Sequence, residues 1–89
     1  MEIRGLERTL KALANRRRLG ILKSLQKHER AVVGQIAQDI KLSFKATSKH
    51  LGILYAADLV EREQKSLEMW YSISPRINSV AKYISNSLE

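Results

Sequence analysis

The chain has 89 residues, no cysteine, one proline and four glycines. This length fits one small domain, and the lack of cysteine excludes disulfides, thiolate metal sites and cysteine nucleophiles. Sixteen Lys and Arg against nine Asp and Glu give a net charge of +7, a balance typical of proteins that bind polyanions such as nucleic acids.

The basic excess lies at the front of the chain. Residues 1–30 carry a net charge of +6, residues 31–60 carry +1 and residues 61–89 carry none. No repeat, low-complexity tract or Gly/Ser linker divides the chain, so residues 1–89 are expected to form one continuous domain. No apolar run approaches the roughly 20 residues of a membrane span. The opening residues also lack the apolar core of a signal peptide, which favours a cytoplasmic protein.

Apolar residues at helical spacing predict two helices in the first 30 residues. The first lies within residues 1–14 and has one apolar stripe, formed by Ile3, Leu6, Leu10 and Leu13. Asn15 is the expected N-cap of the second helix, which covers about residues 16–27. Its buried side chains are expected to be Leu19, Leu22 and Leu25.

Two further helices follow, joined by the short turn Ile40-Lys41-Leu42. The third covers about residues 33–39, and the fourth runs from the N-cap Ser43 to about residue 57. The inward side of the fourth helix is formed by Thr47, Leu51 and Leu54. A short helix, a tight turn and a second helix with a polar outer face make a helix-turn-helix, in which the second helix enters the DNA major groove.

Beyond Asp58 the apolar period changes from 3.6 to 2, which predicts a β-hairpin. Residues 64–66 are the expected turn, and the inward residues of the second strand are Leu67, Met69, Tyr71 and Ile73. Ser74 as N-cap and Pro75 at the first helical position predict a last helix within residues 75–89. The predicted fold is mainly α with a small β-hairpin: a winged helix-turn-helix of five helices, with the wing between the fourth and fifth.

These segments resemble the ArsR-type winged-helix repressors of bacteria and archaea over about residues 6–88. The similarity is carried by short motifs in a common order and spacing: residues 10–15 (LKALAN), 18–22 (RLGIL), Ile36-Ala37, Leu42-Ser43, residues 48–51 (SKHL), Leu54, Leu59-Val60 and Tyr71. The resemblance implies a prokaryotic, nucleoid-associated protein. It also implies a homodimer that represses a promoter by covering it.

The sequence departs from the family pattern in two turns and in the wing. Lys41 and Asp58 stand where relatives have glycine, which costs only about 1 kcal/mol at a left-handed surface position. The usual Gly-Arg at the wing tip is missing. Acidic residues outnumber basic ones in this wing, with Glu61, Glu63 and Glu68 against Arg62 and Lys65. The wing is therefore expected to hold phosphate less firmly than those of its relatives.

DNA contacts are expected from two groups of residues. The outward face of the fourth helix is expected to read bases with Phe44, Lys45, Ser48 and Lys49. Phosphate contacts are expected from the start of the second helix, the turn and the wing, through Arg16, Arg17, Lys41, Ser43, Arg62 and Lys65. The alternatives are that the lysines form an ordinary solvated face and that the phenylalanine packs against the turn.

Four other polar or aromatic residues have structural interpretations. Arg18 and His50 match family positions and are expected to be packed and hydrogen-bonded, the arginine to a carboxylate or a carbonyl. His28 is expected to stabilise the end of the second helix. Trp70 is expected to cover the hairpin or a neighbouring helix, with contact to a partner or ligand as the alternative.

The first and last helices, residues 1–14 and 75–89, are expected to form the dimer. Their apolar stripes exceed what so small a domain can bury. The expected interface residues are Leu6, Leu10, Leu13, Ile77, Val80, Ile84 and Leu88.

No metal, cofactor or enzymatic activity is expected. Relatives in the resembled family sense metals through paired Cys on the third helix or through Asp and His on the last helix. The third helix here has no Cys and the last helix has no Asp or His, and no catalytic constellation is present. The expected partners are double-stranded DNA and a second copy of the chain, with no membrane; an effector is not predicted. Two other functions stay open: a chromatin-like protein that coats DNA with little sequence preference, and a winged helix used only for protein contacts.

Overall fold

The computed structural model describes all 89 residues, which form five α-helices and three β-strands. The elements in chain order are α1 (Ile3–Leu13), α2 (Arg16–His28), β1 (Arg30–Val32), α3 (Val33–Ile40), α4 (Phe44–Ala56), β2 (Val60–Lys65), β3 (Glu68–Ile73) and α5 (Ser79–Asn86). The predicted class, five helices with a β-hairpin between the fourth and fifth, is confirmed. None of the helices has the length and apolar character needed to cross a membrane.

Side-chain caps fix where the two longest helices begin. Asn15 Oδ1 accepts hydrogen bonds from the backbone amides of Arg17 at 2.9 Å and Arg18 at 3.1 Å. Ser43 Oγ accepts from the amide of Ala46 at 3.1 Å. Such caps satisfy amides that have no carbonyl partner in the first helical turn. Helices α2 and α4 therefore begin directly after the predicted capping residues.

The last helix begins at Ser79, four residues beyond the predicted position, so residues 75–78 are not helical. They form a turn instead. The amide of Ile77 donates to the carbonyl of Ser74 at 3.1 Å, and Ser74 Oγ accepts from the amide of Arg76 at 3.2 Å. Proline suits the second position of such a turn as well as it suits a helix start. The Ser74-Pro75 pair is therefore compatible with both a turn and a helix start.

Asn78 caps α5 in place of the predicted Ser74. Its Oδ1 accepts from the amide of Ala81 at 2.9 Å, while its side-chain amide donates to Thr9 Oγ1 of α1, also at 2.9 Å. Thr9 is buried, so this second bond ties the start of α5 to the middle of α1. The start of α5 is therefore set by a tertiary contact that the local sequence does not predict.

A third strand, absent from the sequence prediction, joins the hairpin. The sheet order is β1-β3-β2, with both pairs antiparallel. Arg30 lies opposite Ser72, and Val32 lies opposite Trp70. Strand β1 has only three residues, which is too short for a period-2 pattern to be visible.

The hairpin turn also differs from the prediction. Lys65 pairs with Glu68, so the turn consists of Ser66 and Leu67 rather than residues 64–66. Ser66 has a positive φ of 56°, a conformation common in two-residue hairpin turns. Leu67, predicted to face inward, is 97% exposed because it lies at the tip of the turn and not in the strand.

Helix α2 lies at the centre of the core. The largest fully buried apolar side chains come from α2, α3, α4 and the residue before β2: Ile21, Leu22, Leu25, Ile36, Leu51, Leu54 and Leu59. Burying each of them stabilises the fold by about 1.5–3 kcal/mol. The predicted inward side of α4 is confirmed, and this burial fixes the orientation of its opposite face.

Tight connections set α3 and α4 against α2. Lys41 closes α3 in the left-handed region with φ 55°, and Asp58 follows α4 with φ 61°. Both are the positions where glycine was expected. Gly20 of α2 lies where a Cβ atom would meet Ile40 Cγ2 of α3 at 3.2 Å. One helical glycine is thus explained by the close approach of these two helices.

Candidate nucleic-acid interface

The outward face of α4 is formed by the four predicted base-reading residues, and we call it the recognition face. Phe44 is 63% exposed, Lys45 and Lys49 are exposed, and Ser48 is half-buried. The opposite side of the helix is fully buried. The four side chains therefore share one surface. None of them makes a side-chain hydrogen bond or ion pair within the chain, which leaves the face free for a partner.

Arg18 holds α4 against the end of α1. Its Nε donates to the carbonyl of Ala12 at 2.6 Å, a terminal nitrogen donates to the carbonyl of Lys11 at 3.2 Å, and the other lies 3.2 Å from His50 Nδ1. Burial lowers the pKa of His50, and the positive charge of Arg18 lowers it further. A neutral His50 accepts the hydrogen bond from Arg18. Both residues are structural, as the sequence indicated.

Four predicted phosphate-binding residues, Arg16, Arg17, Lys41 and Ser43, lie at the junction of α2 with the helix-turn-helix turn. Arg16 is exposed, and half-buried Arg17 reaches the carbonyl of Ile40 at 3.4 Å, next to Lys41. Ser43 uses its oxygen to cap α4 and keeps its hydroxyl proton free to donate. These residues lie around the N-terminal end of the recognition face, where the macrodipole of α4 also favours an anion.

A groove between α2 and α3 continues from this junction. It has a volume of about 610 Å³, and we call it the basic groove. Its lining contains four cations, one acid and three other residues: Arg16, Arg17, Lys23, Lys27, Asp39, Gly20, Ser24 and Ile40. The sequence prediction missed Lys23 and Lys27. Their spacing from Arg16, seven and eleven residues on, is the helical repeat that places all three on one side of α2.

Asp39 is held by side chains from both helices of the groove. Its Oδ2 accepts from Ser24 Oγ and lies near His28 Nε2, each at 2.8 Å, and its Oδ1 accepts from Gln35 at 3.1 Å. The hydrogen bond from Ser24 is the largest cause of a lowered pKa at Asp39, and His28 and Gln35 add to it against the opposing effect of burial. His28 thus pairs with α3 rather than only capping α2. No group of three or more His, Asp or Glu side chains is close enough to share a metal ion.

The basic residues of the wing have partners within the chain. The guanidinium of Arg62 lies 3.9 Å from the ring centre of Tyr55, and Lys65 lies 3.6 Å from Glu63. Glu63 also lies 3.9 Å from Arg30, whose guanidinium is over the ring of Trp70 at 5.4 Å. Trp70 is half-buried, and its ring contacts the Arg30 guanidinium. The two wing residues predicted to bind phosphate are therefore already engaged.

An apolar surface lies on α1, outside the helix-turn-helix, and we call it the α1 patch. Ile3 is 86% exposed and Leu10 is 44% exposed. A shallow, almost entirely apolar depression of about 430 Å³ lies between them, lined by Ile3, Leu6, Glu7, Leu10, Lys11 and Ala14. The nearby α5 adds Tyr83, exposed to 76% and absent from the predicted interface. Exposed apolar surfaces of this kind are typical of protein–protein contacts.

The structure divides the predicted dimer residues into two sets. Leu6 and Leu10 belong to the α1 patch, whereas Leu13 is 4% exposed and packs in the chain's own core, which corrects its assignment to the interface. The interface residues predicted for the last helix are half-buried. Three of them pack against that core: Ile77, which precedes α5, Ile84 within α5, and Leu88, which follows it. Val80 of α5 is also half-buried. These side chains are therefore shared between the core and the surface.

Comparison with known proteins identifies the family. Residues 15–62 match the model of the bacterial regulatory proteins of the arsR family, a segment that spans α2 to the first strand of the wing. The chain belongs to the ArsR family. Its helix-turn-helix, the recognition face and the junction with α2 all lie inside the matched segment. The ArsR-type resemblance drawn from the sequence is confirmed.

Individual ArsR-family relatives agree in sequence and in structure. The chain is 45% identical over 65 residues to the nodulation protein NolR of Rhizobium meliloti, covering 73% of this chain and 52% of NolR. It is 34% identical over 77 residues to the transcriptional repressor PagR of Bacillus anthracis, covering 85% of this chain and 77% of PagR. The homodimeric winged helix-turn-helix DNA-binding domain of a Mycobacterium bovis protein superposes with a TM-score of 0.80 at 30% identity, covering 94% of this chain and 75% of that domain. The chain thus spans about half the length of NolR and most of the other two.

Proposed function

We propose that this chain is a homodimeric transcriptional repressor that binds double-stranded DNA in a sequence-specific manner and acts on the nucleoid. The observation that carries the proposal is the recognition face. It presents Lys45, Ser48 and Lys49 without internal partners on a helix whose other side is locked in the core. The repressor PagR and the DNA-binding Mycobacterium bovis domain support the same assignment.

Each group around α4 has a chemical role in this proposal. The two lysines donate to guanine O6 and N7, Ser48 bonds to base edges, and Phe44 packs on thymine methyl groups. The phosphate backbone is held by the residues at the start of α2 and in the turn: Arg16, Arg17, Lys41 and Ser43. Arg62 and Lys65 of the wing contribute less, because Tyr55 and Glu63 already engage them.

The second copy of the chain would bind over the α1 patch. The dimer would join two such patches around a two-fold axis, with α5 alongside and Tyr83 at its edge. In a two-fold dimer the two recognition faces enter successive major grooves about 34 Å apart, or about 10 base pairs. The operator is therefore expected to be an imperfect palindrome, and its occupation would block a promoter.

Base selection from a random duplex pool tests the DNA-reading part. The wild type is expected to enrich a palindrome, and to bind it about 10³-fold or more tightly than random duplex at fixed salt. Lys45→Ala and Ser48→Ala should change the preferred bases at a cost of about 1–3 kcal/mol. Lys82→Ala, an exposed lysine on α5, is the control and should leave the preference unchanged. Unchanged affinity and base preference in both α4 variants would instead indicate a protein-contact module, and a specificity ratio near one would indicate a DNA-coating protein.

Sedimentation equilibrium tests the dimer. Leu10→Glu places a charge on a side chain that is already 44% exposed in one chain, so the single chain should stay folded while the dimer dissociates. Leu67→Glu, at the 97% exposed wing tip, is the control and should stay dimeric. A wild-type chain that sediments as a monomer at micromolar concentration would contradict the proposal.

A further inference from the structure

The basic groove extends the cations at the helix-turn-helix turn further along α2. Arg16, Lys23 and Lys27 repeat along one side of α2. The stretch from the first to the last is about 16 Å long at 1.5 Å per residue. Gly20 lies between them and adds no side chain to the floor of the groove. The result is an open row of cations that begins at the turn before α4.

None of these cations is neutralised within the chain. The ion pairs of the protein involve other basic residues, on α1, at His28, on β1 and in the wing. Asp39 is the one acid in the lining, and its oxygens are already bound by Ser24, His28 and Gln35. Any anion in the groove therefore meets four positive charges against the single negative charge of Asp39.

The chemistry of the lining favours a polyphosphate backbone over a compact ligand. Small-molecule sites are mostly apolar and enclose their ligand. This groove has one apolar lining residue, Ile40, and lies open along its length. One strand of duplex DNA places a phosphate every 3.4 Å along its axis. A row of cations about 16 Å long is therefore long enough to contact several consecutive phosphates of one strand.

We propose that the basic groove binds the phosphate backbone of DNA outside the half-site read by α4, so that Lys23 and Lys27 extend the footprint of each protomer. The inference rests on the proposed DNA binding. Its structural support is continuity: Arg17 bonds to the carbonyl of Ile40 at the turn, and the groove opens from that point. Phosphates next to the half-site would be held by Arg16 and Arg17, and more distant ones by the two lysines.

Two duplexes test the groove. One contains only the palindrome selected from the random pool, and the other extends it by ten base pairs of unrelated sequence on each side. Binding constants are measured from 50 to 200 mM salt. Each lost phosphate contact reduces the salt slope by about 0.9, and a dimer has two grooves. Lys27→Ala should therefore flatten the slope on the long duplex by about 1.8. Between 50 and 200 mM salt, the affinity of this variant should then fall about tenfold less than that of the wild type.

The short duplex and a matched lysine complete the design. Lys23→Ala and Lys27→Ala should bind the short duplex like the wild type, and Lys82→Ala should behave like the wild type on both. Thermal unfolding checks that all three variants are folded. Equal slopes for wild type and groove variants on the long duplex, or equal losses on both duplexes, would overturn the proposal. If the wild type selects no palindrome and the short duplex binds no better than random sequence, the proposed function fails instead, so the two failures are distinguishable.

Discussion

The basic residues of α2 and those of the wing are held differently in this small protein. At the start of α2 and along the basic groove, Arg16, Lys23 and Lys27 face solvent without a carboxylate partner. In the wing, Lys65 pairs with Glu63 and Arg62 lies over the ring of Tyr55. A formal charge is therefore a poor measure of what DNA would meet, because only the first region has cations that no group in the chain already holds.

The size of this difference follows from the exposure of the wing pairs. Glu63 is 66% exposed and Lys65 is 49% exposed, and pairs of this kind contribute at most about 1 kcal/mol. A phosphate can displace the carboxylate, but it gains less there than at a free cation. The wing is thus weakened for phosphate binding rather than blocked.

The largest effect should separate the two regions directly. Arg16→Ala with Arg17→Ala removes two contacts in each protomer, and so should flatten the salt slope of the dimer by about 3.6 units. Arg62→Ala with Lys65→Ala removes the same charge and should flatten it by less than half as much. Salt titrations of binding to one duplex measure both. Equal changes in the salt slope for the two double variants would show that the wing cations are as available to phosphate as those of α2. The control is Arg16→Ala alone, which keeps the hydrogen bond from Arg17 to the Ile40 carbonyl. A loss of affinity in this variant therefore reflects a lost phosphate contact and not a folding defect.

A smaller effect should appear when the wing cations are released. Glu63→Gln removes the carboxylate shared by Arg30 and Lys65. Lys65 then becomes free to contact phosphate in both protomers, so the salt slope should steepen by up to about 1.8 units per dimer and affinity at low salt should rise. Glu68→Gln removes the same charge from a residue that pairs with no cation, and so measures the general effect of charge. Identical slopes for the two variants would mean that the ion pairs of Glu63 do not restrain the wing.

The smallest effect concerns the one acid in the basic groove. Folding lowers the pKa of Asp39 from its ordinary value of 3.8, so the stabilisation is present above that value and is lost as the pH falls through the lower folded pKa. Asp39→Asn should reduce stability by about 1 kcal/mol at neutral pH. The variant should also lose less of its free energy of unfolding than the wild type as the pH falls below about 4.

Denaturant unfolding between pH 3 and 7 measures both effects. The control is Asp58→Asn, at an exposed site where the pair with Arg8 is weak and asparagine tolerates the positive φ. The same acid sensitivity in Asp39→Asn and in the wild type would show that Asp39 does not link α2 to α3 in this way.

The sequence predicted those parts of the fold that short-range signals determine. Asn15 and Ser43 announce the starts of α2 and α4, and the spacing of Thr47, Leu51 and Leu54 indicates which side of α4 is buried. The outward face, with its proposed base-reading residues, follows from that burial. Local rules suffice here because caps and stripes act within one or two helical turns.

The missed features depend on contacts between distant segments. Strand β1 exists only as a partner of β3, and α5 begins where Asn78 meets Thr9 of α1. Helical spacing places three cations on one side of α2: Arg16, Lys23 and Lys27. The groove beside them forms because α3 packs next to Gly20, and that packing cannot be inferred from the spacing. The partners of the wing cations likewise depend on strand register. No window of a few residues contains this information.

The three-residue strand β1 also has a consequence for the order of folding. Arg30 and Ser72 pair although they lie about 40 residues apart, with α3, α4 and the hairpin between them. The entropy of closing such a loop disfavours this pairing until the intervening helices have formed. The hairpin closes locally across only two turn residues and needs no such wait. The edge formed by β1 should therefore be among the last parts to assemble and the first to fray. Hydrogen exchange should reach the β1 amides that bond to β3 before the amides buried in α2.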